Sequence, residues 1–135
     1  MKRIAIAVRQ FVRERVHKQC EYCHRPDVYS VVSFHVDHII PTKQHEGSSE
    51  EENLAWLCVH CNISKSVNIA GYDPVTQQLT PLFNPRTQQW DEHFQMNTAT
   101  IEGKTPVGRV TVKILDMNAQ EMVQARQSLI DKGLA

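Results

Sequence analysis

The sequence predicts an α+β fold, in which a strand segment and a helix are gathered by four cysteines between terminal helices. Three observations carry this. Two Cys-x2-Cys pairs occur, Cys20-Glu21-Tyr22-Cys23 and Cys58-Val59-His60-Cys61. Between them, residues 28–40 (VYSVVSFHVDHII) are crowded with β-branched and aromatic side chains, the composition of a pleated surface. Helix signals flank this region on both sides.

Taken in order, Ile4, Val8, Phe11, Val12 and Val16 recur at helical spacing with arginines opposite, predicting a helix over about 3–17. One or two strands are expected over 28–40, closed by Pro41. The polar run 42–53, TKQHEGSSEEEN, reads as a loop around Gly47. Apolar density resumes from Asn53 to Leu57, and a helix is expected over about 59–68. Residues 71–103 contain Pro74, Pro81, Pro85, Gly71 and Gly103 and read as turns and short strands, with Trp90 and Phe94 as packing anchors. Thr105-Pro106 has the form of an N-cap followed by proline at the first helical position, opening a helix to about 116. Asn118 with Glu121 has the form of a capping box for a last helix that Gly133 stops.

The chain has 135 residues, enough for one modest core, and is expected to form a single domain over 1–135. Within it, 1–19 form a basic helix, 20–68 the cysteine-pinned core, and 69–135 short strands and two C-terminal helices. An apolar content of 41% suits a soluble globular chain. No apolar run approaches the roughly 18 residues of a membrane span. The five-residue apolar stretch before Arg9 is too short for a signal peptide, so a cytoplasmic location is expected. Fifteen basic and fifteen acidic residues balance, but residues 1–19 hold Lys2, Arg3, Arg9, Arg13, Arg15 and Lys18 against Glu14 alone. That imbalance allows a phosphate-binding face or an ordinary solvated helix surface.

Disulfides are disfavoured in a reducing compartment. Two Cys-x2-Cys knuckles there point instead to one tetrahedral zinc site made by Cys20, Cys23, Cys58 and Cys61. Reduced knuckles without metal, or a redox pair, are the alternatives. The 34 residues between the pairs exceed the roughly 15–20 of a simple zinc ribbon. They contain FHVDHIIP, where Asp37-His38 interrupts an apolar run. Asp, Asn and His in this region suit a hard divalent cation, and a neutral imidazole can act as general base on water. Phosphodiester hydrolysis needs both functions. Adjacent strand residues point to opposite faces, so a site shared by Asp37 and His38 requires the strand to end or bulge there. Asn62 and Lys65, three apart on the expected helix, share a face.

The pieces CEYC (20–23), VDHIIP (36–41), NLAWLC (53–58) and VHCNISK (59–65) resemble the HNH endonucleases, with their ββα-metal motif. The motif resemblance covers about residues 20–66. The flanks VRQFVRERVHKQCEYC, LFNPRTQQWDEHF and TPVGRVTVKILDMN are similar to a group of small bacterial HNH proteins over nearly the full length. The resemblance implies His38 as general base and Asn53 as the residue that holds the loop and orients it. It implies Asp37 and Asn62 as ligands of a catalytic divalent metal, and the four cysteines as structural zinc ligands. Asn62 stands where the family usually has histidine. An amide oxygen there is the weaker ligand and favours Mg²⁺ or Mn²⁺.

Each residue has a plainer reading: a hydrogen-bonded core histidine for His38, a helix cap for Asn53, a surface residue for Asn62. Lys65 reads equally as a phosphate contact or a solvated cation, and Arg9 and Arg13 are the candidate phosphate contacts on the first helix. His35 lines the site or packs; His24 and His60 are surplus to a four-cysteine tetrahedron. Trp56, Trp90 and Phe94 read as core, and Glu50-Glu51-Glu52 as pointing away from any DNA groove. The expected function is a metal-dependent endonuclease acting on double-stranded DNA. The alternatives are a non-catalytic, zinc-stabilised nucleic-acid-binding module, or a protein-interaction domain with the C-terminal helices as its contact surface.

Overall fold

The computed structural model describes residues 4–134; Lys2 and Arg3 of the basic segment lie outside them. The fold is α+β, with three two-stranded antiparallel sheets and short helices among the described residues. It divides into two compact units. One runs through Val67 and takes in Asn84–Arg86; the other comprises Asn68–Phe83 and the chain from Thr87 onward.

In the first unit, helix α1 spans Ile6–Arg15 and buries Val12. It stops short of the expected 17 because His17 and Lys18 take left-handed backbone angles, φ 57° and 60°. The 28–40 segment is corrected by the structure: only His35–His38 forms a strand, β1. Asp27–Tyr29 is a 3₁₀ turn, and residues 30–34 lie outside any strand. Ser30 binds Val32 locally, its hydroxyl donating to the Val32 carbonyl at 2.8 Å. Val31 is fully exposed. Strand propensity without a neighbouring strand to complete the ladder does not make a strand.

The expected loop 42–53 contains a one-turn helix, α2 (Thr42–His45), and a 3₁₀ turn at Glu51–Asn53. A Cβ on Gly47 would collide with the Ile40 carbonyl oxygen, so glycine lets the loop close on the strand end. Strand β2 (Leu54–Leu57) is wholly buried and pairs with β1 in regular register, His35 opposite Leu57 through His38 opposite Leu54. Helix α3 (Val59–Lys65) packs on both strands. It ends at Ser66, φ 50°, earlier than the expected 68.

In the second unit, β3 (Ala70–Tyr72) pairs with β4 (Leu79–Pro81). The one-turn α4 (Trp90–His93) precedes the hairpin of β5 (Phe94–Asn97) and β6 (Thr100–Gly103). Helix α5 (Pro106–Ile114) begins as expected, the Thr105 hydroxyl accepting from Gly108 N–H at 3.1 Å with Pro106 in the first turn. Helix α6 (Gln120–Asp131) is not capped by Asn118: its N-cap is Ala119, without a side-chain bond. Asn118 instead takes the Ile101 N–H at 2.9 Å and donates to the Ile101 carbonyl at 2.8 Å. Phe94 is buried and half-buried Trp90 stacks on it at 5.1 Å, as anchors should.

Candidate metal centre and strand-end site

The two knuckles meet. Cys20 N–H donates to the Arg25 carbonyl and His24 N–H to the Cys20 carbonyl, both at 2.9 Å, with His24 at φ 63°. That turn places Cys20 and Cys23 on one side. Cys58 caps α3, its sulfur accepting from Cys61 N–H at 3.4 Å. All four cysteines are buried and free of disulfides, and their sulfurs lie within 4.8 Å of one another. Cys23 and Cys58 are 3.7 Å apart, sulfur to sulfur. A tetrahedral zinc with bonds of about 2.3 Å requires sulfur separations of about 3.8 Å, so the donor set and its spacing fit that ion.

Hydrogen bonds from Cys20, Cys23 and Cys61 hold the Cys58 thiol far below its ordinary range. Hydrogen bonding to the neighbouring cysteines, with burial, pushes Cys23 and Cys61 well up. Zinc binds cysteines as thiolates, so ion binding would release their protons. His24 and His60 fall outside this cluster.

The strand end is built around Asp37 and His38. β1 shows no bulge; it ends at His38. The two side chains have different partners. Asp37 Oδ2 meets the Lys65 ammonium at 3.2 Å, and the same ammonium donates to the His38 carbonyl at 3.1 Å. His38 Nε2 is 3.2 Å from the Ser49 hydroxyl. Asn53 ties the following loop: its amide oxygen accepts from Ile40 N–H at 2.9 Å, while its NH₂ donates to the Ile40 carbonyl at 2.9 Å and the Ser48 carbonyl at 2.7 Å. Its own carbonyl accepts from Ile39 N–H at 2.8 Å. Asn53 is therefore a loop tie at the end of a 3₁₀ turn and not a helix cap. Asn62 is half-buried on α3, one turn before Lys65.

Residues 20–67 match the family model of the HNH endonucleases. The HNH segment thus contains the cysteine cluster and the whole strand-end constellation. Neither a curated protein nor a solved structure matches the chain.

Within the HNH segment, Lys65 departs from both sequence readings. It is neither solvated nor turned outward: the side chain is 1% exposed and its ammonium is engaged by Asp37 and the His38 carbonyl. His35 is exposed. Trp56 is buried, and its indole N–H donates to Asp27 at 3.0 Å. Glu50, Glu51 and Glu52 are all exposed.

The arginines of α1, ahead of the HNH segment, are also differently occupied than charge counting suggests. Arg9 donates to the Phe34 carbonyl at 2.9 Å and lies 4.9 Å from the centre of the Trp56 ring. Arg13 forks onto Asp27 at 2.6 and 3.0 Å. That hydrogen bonding raises the Arg13 pKa and lowers that of Asp27. Arg15 donates to the carbonyls of Glu51 and Leu54. Arg9 and Arg13 line a cavity of about 430 Å³ with Ile6, Val31, Val32 and Trp56; its lining includes neither Asp37 nor His38.

Glu21 was not singled out by the sequence and is central to the first knuckle. It is buried, accepts the Trp56 N–H at 2.8 Å and pairs with Arg86. Its own N–H donates to the Trp56 carbonyl at 2.9 Å. Burial, with the Arg15 charge nearby, pulls the Arg86 pKa down to about 10. Ser49 and Tyr22 were missed as well. Burial first, with the Asp37 carboxylate next, raises the Tyr22 pKa well above its usual value. Only the position of Glu21 and Tyr22 inside the Cys-x2-Cys pair could have drawn attention to them.

Proposed function

We propose that this protein is a metal-dependent endonuclease that hydrolyses phosphodiester bonds in double-stranded DNA. The observation that carries the reading is the HNH family match over a segment in which Asp37, His38 and Asn53 converge on the end of β1. His38 is the general base: its imidazole takes a proton from the attacking water. The imidazole is partly exposed, with Nε2 at 3.2 Å from the Ser49 hydroxyl, which leaves it accessible to water. Asn53 positions this base by fastening the residues that follow it.

Asp37 and Asn62 would hold a Mg²⁺ or Mn²⁺ ion. Both donors are hard oxygens. Lys65 on Asp37 indicates that this face of α3 lies against the Asp37 end of β1, and Asn62 is one turn away on the same face. When bound, the cation supplies charge stabilisation at the phosphate and the leaving oxygen. The four cysteines would hold a structural zinc that anchors the N-terminus of α3, the helix that presents Asn62 and Lys65.

Purified protein is tested with supercoiled plasmid and Mg²⁺ or Mn²⁺. Wild type nicks it, and His38→Ala lowers the rate by about 10²–10⁴-fold. Equal nicking by the two would sink the catalytic assignment. Salt-sensitive DNA binding indifferent to His38 and Asp37 would support a non-catalytic binding module instead.

A further inference from the structure

We infer that Lys65 is a positioning residue, whose buried ammonium orients the Asp37 carboxylate and pins the His38 backbone before a divalent cation arrives. The inference rests on the proposed role of Asp37 as metal ligand.

Lys65 is the most deeply buried cation of the HNH segment that the structure describes, at 1% exposure. Burying an ammonium is unfavourable unless acceptors replace its water. Two acceptors do so, and they belong to consecutive residues: Asp37 Oδ2 at 3.2 Å and the His38 carbonyl at 3.1 Å. An apolar side chain of similar length would fill the same space without desolvating a charge. What the ammonium adds is directional. It draws Oδ2 of Asp37 into the protein, on a side chain that is still 24% exposed, so Oδ1 is the oxygen that would meet a cation. It also binds the carbonyl of the His38–Ile39 peptide at the point where β1 ends, the N–H of that same peptide donating to the Asn53 carbonyl at 2.8 Å.

The helix that carries Lys65 is itself fixed by the cysteine cluster. Cys61 and Lys65 are four residues apart on α3, both buried on the same face. One end of this face faces the proposed zinc and the other grips the proposed catalytic strand. Outer partners of metal-binding carboxylates typically change metal affinity about 10–100-fold when removed. By charge alone, removing a cation near the site would strengthen metal binding. Positioning predicts the opposite sign, so the measurement separates the two.

The test is Mn²⁺ affinity of the full, zinc-loaded chain, read from the spectroscopic signal of free Mn²⁺ in wild type, Asp37→Asn, Lys65→Met and Val12→Ala. The last variant is a core destabilisation on α1, at a residue outside the proposed metal ligands. Lys65→Met is expected to weaken Mn²⁺ binding about tenfold or more, with Val12→Ala unchanged and zinc content retained. Lys65→Gln, which keeps N–H donors, is expected to recover part of the affinity, and it replaces Lys65→Met if that variant does not fold. Equal or tighter Mn²⁺ binding by the uncharged variant overturns the positioning role. Wild type that binds no Mn²⁺, or Asp37→Asn that binds it normally, instead overturns Asp37 as a ligand, and the inference falls with it.

Discussion

Asn53 shows how a single side chain can hold a loop. Three hydrogen bonds from one buried amide join Ile40 to Ser48. Each contributes about 1 kcal/mol net, so Asn53→Ala is expected to cost about 2–3 kcal/mol in denaturant unfolding. It should also lower nicking far more than a surface substitution such as Lys43→Ala. Asn53→Ala with unchanged stability would mean that the tie contributes nothing. In the second unit, Asp73 is completely buried and accepts both forks of Arg109 at 2.9 Å. Arg109 first, then Thr76, hold its carboxyl well below the usual range. A depressed folded pKa means stabilisation that is fully present above the unfolded value of about 3.9 and is lost as pH falls through the folded one. Asp73→Asn should therefore weaken the protein at neutral pH and flatten its loss of stability below about pH 4, as followed by circular dichroism. An acid profile identical to wild type would refute this. Neither the Asp73–Arg109 nor the Lys65–Asp37 pairing is legible in the sequence, because partners 36 and 28 residues apart meet only in three dimensions.

The helices and strands were legible where local signals were self-sufficient. The Thr105 cap, the proline after it and the Cys58–Cys61 turn are short-range geometry, and each formed as the residues indicate. Residues 28–34 were misread because a β-branched run needs a partner strand, and β2 has only four residues, all paired with 35–38. The arginines of helix α1 hold carbonyls, an indole and Asp27. Arg13→Ala is expected to cost about 1 kcal/mol or less after solvent screening, since Arg13 is 37% exposed. Arg9→Ala and Arg13→Ala should lower thermal stability more than they lower DNA affinity; a steep loss of affinity with unchanged melting would restore the phosphate-contact reading. In α6, Asn118→Ala should act through β6 and Arg126, whose guanidinium reaches Asn118 Oδ1 at 3.0 Å, and leave the helix cap unaffected.

At the scale of the whole molecule, the cysteine cluster gathers elements distant in sequence. The first knuckle docks on β2 through Glu21, and the second opens α3. Metal analysis should find about one zinc per chain, and Cys20→Ser or Cys58→Ser should unfold the first unit, because a structural zinc contributes on the order of 10 kcal/mol. Zinc-free protein with an intact fold would contradict the assignment. Among the described residues no helix is long and apolar enough to cross a membrane. With a net charge of zero and the first helix's arginines internally paired, any DNA affinity should have a shallow salt dependence.

By itself the sequence determined the four-cysteine set and the order of the motif. Knuckle spacing and the types of residue at 37, 38, 53 and 62 are local properties, readable from neighbours along the chain. Only the tertiary structure decided what the charges do. It buried Lys65 on Asp37, set Glu21 on the β2 backbone and occupied the α1 arginines. The physical reason is that a charged side chain takes its role from whatever replaces its water, and those partners are chosen by packing and not by spacing.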